Sequence, residues 1–439
     1  MSQYKAYPAY RDSGVQWIGE VPERWDVIPI KRFTKLSKAR TSDATEDATY
    51  IGLEDVESGS GKYRPTEGSS RQFDSSTVGV FHKGQVLYGK LRPYLRKAII
   101  ADTKGICSTE FLVLQPERAL PELLQKWLLT LEVTQQIEAT CEGAKMPRAD
   151  WDGIGNIPMP LSPIIEEQAT IAATLDRETA RIDALIQKKA SFIELLKEKR
   201  EALITHAATK GLDYSVEMKD SGVPWIGLVP EHWEVVPSTW LFVESKERAH
   251  EDDQHLSATQ KYGVIPLAEY ERLEGRQVTH AVKNLEQRKH VELDDFVISM
   301  RSFQGGIERV KARGCVRSSY VVIQAEAGAD KNYFAYLFKS GSYIQGLQAT
   351  SSFIRDGQDL NYGNFRQVKL PQPELDEQRR IAKFLDQETA RINALAKKTE
   401  HSVTLLKERR AAFITAAVTG QIDLRGVGKA RTAERGQNA

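Results

Sequence analysis

The sequence predicts a mixed α+β or α/β fold in which two globular domains are joined by two long helices, the whole plan occurring twice in the chain. Three observations predict it. Residues 12–33, DSGVQWIGEVPERWDVIPIKRF, return from Asp220 as DSGVPWIGLVPEHWEVVPSTWLF. Residues 163–213 return from Pro373, again displaced by about 210 residues. The stretches between these blocks, roughly 34–157 and 243–367, share little sequence. A near-constant offset over so long a span marks a tandem duplication of one domain-sized unit, too long a period for a solenoid. A common frame with two different inserts suggests one scaffold carrying two specificities.

Within the first insert, short strand patterns fall at Ala48–Leu53, Gln85–Tyr88, Lys97–Ile100 and Glu110–Leu114, and a helical pattern at Leu120–Glu138. The second repeats the order: strands at Gly263–Leu267, Asp295–Met300, Ile307–Val310 and Tyr320–Gln324, then a helix near Asn332–Ala349. Short strands mixed with helices read as α+β or α/β. Each insert ends in a proline cluster, IPMPLSP at 157–163 and VKLPQP at 368–373. Proline disfavours helix at the residue before it, so these are stiff exits.

A long heptad pattern follows each exit. Leu175, Ile182, Lys189, Leu196 and Leu203 fall seven apart, as do Leu385, Ile392, Thr399, Leu406 and Phe413. Each helix would run about 40–45 residues, roughly 60–70 Å at 1.5 Å per residue. Gly211 and Gly420 mark their stops. One apolar stripe on so long a helix needs a partner, and the nearest is the other copy. The polar seam residues Lys189 and Thr399 would fix register at some loss of stability. The last stretch, 421–439, is rich in glycine and charge and is expected to be a disordered tail.

Composition narrows the class. At 439 residues two to three domains are expected, and 41% hydrophobic with 28% charged residues is ordinary for a globular protein. Three cysteines, Cys107, Cys141 and Cys315, are widely spaced, which argues against a disulfide framework or a zinc site and for a reducing cytosol. There is no apolar run of membrane-spanning length and no secretory signal at the N-terminus. A net charge of +1 still permits nucleic-acid binding if the basic residues cluster.

Catalytic motifs are missing. There is no N-P-P-[FY], no GxGxxG after a strand and no HExxH. GSGKY at 59–63 lacks the first glycine of a phosphate loop, Val56 holding its place, and reads as a turn. Histidines have no metal-ligand spacing. The acidic pairs Glu166-Glu167 and Asp376-Glu377 open helices and suit the helix dipole. No catalytic and no metal residue is therefore expected.

Basic and aromatic clusters remain. Lys90, Arg92, Tyr94, Arg96 and Lys97 crowd YGKLRPYLRK, with Lys145 and Arg148 following. In the second insert Arg301, Gln304, Arg309 and Lys311 surround Gly305-Gly306, and Arg355 and Asn361 lie further on. Arginine and lysine suit phosphates and guanine edges; asparagine and glutamine suit adenine edges. Each cluster alone could be a solvated face. Their similar placement in both inserts points to DNA binding.

Taken with their order, these motifs resemble the specificity subunit of type I restriction–modification systems. The resemblance rests on D-SGV-x-WIG-x-VP-x-x-W at 12–25 and 220–233, on EEQ at 166–168 and DEQ at 376–378, on LDxETARIxAL at 175–185 and 385–395, and on LLKEKREALIT and LLKERRAAFIT. It implies two target-recognition domains, 1–162 and 212–372, each reading half of a bipartite DNA site. The helices at 163–211 and 373–420 would pair antiparallel as a coiled coil and set the spacer. It implies no catalysis by this chain, which would sit in the cytoplasm and assemble with two modification subunits that carry S-adenosylmethionine and methylate adenine. Restriction subunits would add ATP- and Mg2+-dependent cleavage. A duplicated frame offers the pseudo-two-fold surface that two identical partners need. The seam residues Leu175, Ile182, Leu196, Leu385, Ile392 and Leu406 are expected at the partner-binding helices. Two other classes compete: a coiled-coil adaptor whose inserts bind proteins, which would show no salt-dependent DNA affinity, and a stand-alone nuclease, which would need a carboxylate constellation that is not evident.

Overall fold

The computed structural model describes residues 4–42, 48–65, 77–141, 145–277, 287–299, 302–350 and 361–426. The chain divides into two compact units, one made of residues 1–189 and 401–439, the other of 190–400. Each boundary falls inside a long helix, so each unit owns one globular part and a half of each helix.

Both long helices form as the heptads predict. The first spans Ile165–Lys210 and the second Leu375–Val418. Leu175, Ile182 and Leu196 are buried on the first, and Leu385, Ile392, Thr399 and Phe413 on the second. The helices stop where glycine enters the left-handed region, at Gly211 (φ 78°) and Gly420 (φ 72°). In the first unit Asp183 pairs with Arg410 at 2.9 Å, and Ile171, Ala172 and Leu175 share a core with Phe413, Ala417 and Val418. In the second, Ala207 and Ala208 share a core with Ile381 and Leu385. Within each unit the start of one helix meets the end of the other, the antiparallel arrangement.

The globular parts are α+β, because their main sheets are antiparallel. In the first unit Thr34–Ser37, Phe111–Pro116, Val86–Gly89 and Ala98–Ile100 lie side by side in that order. The second unit repeats this with Phe242–Ser245, Val321–Ala325, Phe296–Ile298 and Glu308–Arg309. A second sheet in the first unit contains one parallel pair, Gly105–Cys107 beside Tyr50–Ile51. The proline exits are strands: Pro158–Leu161 pairs with Asp26–Pro29, and Lys369–Gln372 with Glu234–Pro237. These two pairs tie the start of each repeat to its end.

Each predicted insert helix is broken in two at the same place. The first becomes Pro121–Leu128 and Leu131–Ala139, the second Lys331–Leu337 and Gly341–Gln348. Thr130 and Ser340 cause the breaks. Their hydroxyls accept the backbone N–H of Val133 and Tyr343 at 3.4 and 3.3 Å, satisfying donors that a new helix start would otherwise orphan. GSGKY is a turn, as expected. The start of the expected disordered tail is instead ordered. Ile422 and Leu424 are buried in the first unit's core and Asp423 bridges Lys5, because two apolar residues there find a pocket to fill. Residues 427–439 lie outside the described residues.

A clamp built from the recurring motifs closes each unit. The Trp25 indole donates to Glu167 at 3.3 Å, and that carboxylate also accepts from Tyr7 Oη at 2.8 Å and Ser162 Oγ at 2.7 Å. In the second unit Trp233 donates to Glu377 at 3.1 Å, with His232 at 2.9 Å. Each indole also abuts the opposing helix end: a Cβ on Gly420 would lie 3.2 Å from Trp25, and one on Gly211 3.3 Å from Trp233. The adjacent glutamines complete the clamp. Gln168 receives Leu120 N–H and donates to the Ser162 and Arg118 carbonyls; Gln378 receives Asp330 N–H and donates to those of Pro373 and Gly328. Three buried side chains, Glu167, Gln168 and Gln378, and the half-buried Glu377 are thus satisfied by residues that recur together.

Candidate nucleic-acid interface

In the first unit the strand Val86–Gly89 runs into an arc at 90–97 before returning as Ala98–Ile100. Residues 145–149 lie against the arc: Leu91 bridges Arg148, Arg92 N–H donates to the Pro147 carbonyl at 2.9 Å, and Ala149 N–H to that of Lys90 at 2.9 Å. Lys90, Arg92, Tyr94, Lys145 and Arg148 are thereby gathered from two segments onto one rim. Arg92, Lys145 and Arg148 are exposed, and Tyr94 is 47% exposed. Arg148 is steadied by Glu110 at 2.8 Å.

The arc is strained. Arg92 and Arg96 both sit in the left-handed region, at φ 52° and 48°, flanking a short 3-10 turn at Pro93–Leu95. Non-glycine residues there cost about 1–3 kcal/mol each, and such strain concentrates at binding sites. Pro93 fixes the turn between them and the 145–149 segment holds it from outside.

Arg96 and Lys97 turn the other way. The Arg96 guanidinium packs over Gly59 and lies 3.5 Å from the Leu129 carbonyl, lining a cavity of about 310 Å³ beside Arg410 and Thr415 of the long helix. Lys97 Nζ donates to the Leu53 carbonyl at 2.6 Å. Both hold the arc to the body of the unit. Within YGKLRPYLRK, Arg92 and Tyr94 are thus exposed, and Arg96 and Lys97 are half-buried.

The second unit offers a cleft of about 750 Å³ between the globular part and the helices. Gln304 and Lys311 line it and are exposed. They are joined there by Gln260, Lys261, Gln345 and Gln348, which the sequence did not single out. The hairpin Leu256–Thr259 and Gly263–Pro266 brings the first two and the helix Gly341–Gln348 the others. For Gln260 and Lys261 the signal in the sequence is a polar hairpin tip, ATQKYG at 258–263. Beneath lies Glu308, paired with Lys339. Burial raises the Glu308 carboxyl above the usual carboxylate range and lowers the Lys339 ammonium. Nearby, burial pushes the Tyr336 hydroxyl up to about 12, and it bonds Asp386 at 2.7 Å.

Arg309 also lines the cleft, where its guanidinium spans Asp294 and Asn332, both at 2.8 Å. Asn361 caps the turn at Tyr362–Phe365, its side chain accepting Asn364 N–H at 3.2 Å. Gly306 does allow close approach, but to the chain's own Phe338 carbonyl. Arg301 and Arg355 lie outside the described residues. The expected partner-binding leucines Leu175 and Leu385 have no exposed surface and sit in the unit cores, so their own side chains cannot reach a partner. The heptad period located the seam, and a seam that pairs within the chain is covered. The large apolar residues left exposed on the helices include Leu185, Phe192, Leu195, Leu395 and Leu405.

Comparison with known proteins agrees with this geometry. Residues 230–405 match the family model for the type I restriction modification DNA specificity domain. The chain is 23% identical to the EcoDI specificity subunit of a type I restriction enzyme from Escherichia coli, over 38% of each chain. It is 28% identical to the MjaVIII specificity subunit of Methanocaldococcus jannaschii over 49% of this chain and 48% of the relative. These matches span half the length or less of the curated relatives. Among solved structures, the fold matches the HsdS subunit from Thermoanaerobacter tengcongensis with TM-score 0.55 and 19% identity, covering 92% of this chain and 98% of that one. A chain from a study of complex assembly and conformational transition in the type I R-M system matches with TM-score 0.71 and 18% identity, covering 92% of this chain and 99% of that one. Among the described residues no helix is long and apolar enough to cross a membrane.

Proposed function

We propose that this chain, which belongs to the specificity subunits of type I restriction–modification systems, reads a bipartite DNA sequence, one half with each unit. The observation that carries the reading is that one clamped frame occurs twice and holds two unlike polar surfaces. In the first unit Lys90, Arg92, Lys145 and Arg148 meet phosphates or guanine edges, and Tyr94 packs on sugar or base. In the second, the glutamines and lysines of the cleft present amide and ammonium groups that suit adenine edges and backbone. Arg96, Lys97, Arg309 and Asn361 position these surfaces. Arg301 and Arg355 join the contacting set on their chemistry.

The helices shared by the two units set the spacer. DNA repeats every 10–10.5 base pairs, so two readers on one face want half-sites about one turn apart. Linking two weak readers raises their joint affinity through effective concentration. Catalysis belongs to partners in the cytoplasm: modification subunits that hold S-adenosylmethionine and methylate adenine, and restriction subunits that use ATP and Mg2+. These partners dock on the exposed apolar positions of the helices.

Replacing Arg92 by alanine is expected to weaken sequence-specific DNA binding by about 1–3 kcal/mol if it meets a base. Anisotropy titrations of the partner-bound chain against cognate and scrambled duplexes at fixed salt measure this. Unchanged affinity would remove Arg92 from the interface. A slope of log affinity against log salt near zero would remove DNA as the ligand.

A further inference from the structure

We infer that the second unit carries a divalent metal site, for zinc or a similar first-row ion, formed by Glu247, His250 and His290. One donor atom from each of the three lies within 4.8 Å of the other two. The His250 and His290 rings stack 4.2 Å apart and 12° from parallel. His250 Nε2 is 3.0 Å from Glu247 Oε1, and His290 Nε2 is 3.0 Å from Glu292 Oε1. Two imidazole nitrogens and one or two carboxylate oxygens are a donor set that zinc accepts.

The second observation is the arrangement of His290. It is 3% exposed, and its Nδ1 lies 2.7 Å from Oδ2 of Asp253, whose side chain has no exposed surface. An ionised carboxylate only accepts, so Nδ1 carries the proton and donates. Nε2 in turn faces the Glu292 oxygen at 3.0 Å, so both ring nitrogens meet carboxylate oxygens. A neutral imidazole satisfies only one of these contacts; a second ring proton or a metal ion on Nε2 satisfies the other. A buried aspartate holding the remote nitrogen of a histidine is also how ligating histidines are oriented.

The ligands are held by backbone. His290 N–H donates to the Glu247 carbonyl at 3.0 Å, Ala249 N–H to that of Arg288 at 3.0 Å, and Arg248 bridges Lys289. His250 N–H is fixed by Asp253 at 2.8 Å. The Arg313 guanidinium borders the cluster, 2.9 Å from Asp252, 3.3 Å from His250 Nδ1 and 3.4 Å from Glu292 Oε1. The ion would fasten the segment 246–254 to the strand Lys289–Val291, a structural role inside one recognition surface.

The test uses the full-length chain, stripped with chelator and titrated with zinc chloride by calorimetry, alongside Glu247→Gln and His250→Asn. Both substituted side chains are more than 40% exposed, so the variants should fold. Wild type is expected to take up one equivalent, to melt at higher temperature with zinc, and to give visible bands of tetrahedral intensity with Co2+. Each variant should bind at least about tenfold more weakly and lose those bands. Asp253→Asn, which touches no metal, should weaken affinity by about 10–100-fold. No saturable uptake by wild type means that His290 is held as imidazolium instead, and overturns the site. Undiminished affinity in both variants places the zinc elsewhere and overturns it equally.

Discussion

Replacing Trp233 by alanine is expected to destabilise the 190–400 unit by about 3–5 kcal/mol, the range for removing a buried large aromatic. Trp233 has no exposed surface, and its ring fills the space against Gly211 where the first long helix ends. The substitution also removes the indole donor at 3.1 Å from Glu377 and leaves that carboxylate its contact with His232 at 2.9 Å. Trp233→Phe separates the two effects. It keeps most of the packing and removes only the donor, for about 1–3 kcal/mol. Trp240→Ala is the control: at 67% exposure it should change stability by within about 0.5 kcal/mol. Hydrogen exchange resolved along the chain measures all three, with the loss of protection concentrated in 190–400. Equal losses for Trp233 and Trp240 would show that the clamp does not close the unit.

Gly306→Ala is expected to have an effect of similar size for a different reason. Gly306 adopts φ 77°, where an L side chain costs about 1–2 kcal/mol. Its Cβ would also stand 2.0 Å from the Phe338 carbonyl oxygen, a backbone atom that cannot swing aside. The strand exit and the helix end must separate, and a total of about 3 kcal/mol or more follows. Gly305→Ala is the comparison. Its φ is not in the left-handed region and its Cβ would meet the Gln260 side chain, at 2.5 Å from Cγ, rather than backbone, so it should cost less than Gly306→Ala. Denaturant titration reads the difference. DNA binding by Gly306→Ala should fall in step with the folded fraction. Lost DNA binding with unchanged stability would mean that this glycine contacts the ligand directly.

The frame of this protein was legible in its sequence because repetition exposes it. The seven-residue spacing from Leu175 and Leu385 located both helices, and glycine marked both ends. The frame's chemistry was less legible. Trp25 and Glu167 are far apart in the chain, and no local pattern says that an indole will find a carboxylate across that distance. Only the recurrence of the same pair as Trp233 and Glu377 could have suggested it. Helix breaks at Thr130 and Ser340 were hidden because the apolar period runs through them, and a single hydroxyl decides the cap. The polar surfaces were half legible. Charge density singled out Arg92, Arg96, Lys97 and Arg148 together, but could not tell that Arg92 and Arg148 are exposed while Arg96 and Lys97 are half-buried against the body of the unit. Gln260 and Gln345 stand in different elements, and only the fold brings them together. The histidine cluster escaped for the same reason: His250 and His290 have no ligand spacing along the chain and become neighbours through a strand pairing.

Two unlike surfaces on one repeated frame are proposed to read two halves of one DNA site. Mapping N6-methyladenine across the genome of a host that expresses this chain with its modification subunit tests this most directly. The expected result is a new motif made of two short specified sequences separated by an unspecified spacer of constant length, with methyladenine in both halves. A single contiguous motif, or no new methylation from a soluble and assembled complex, would contradict it.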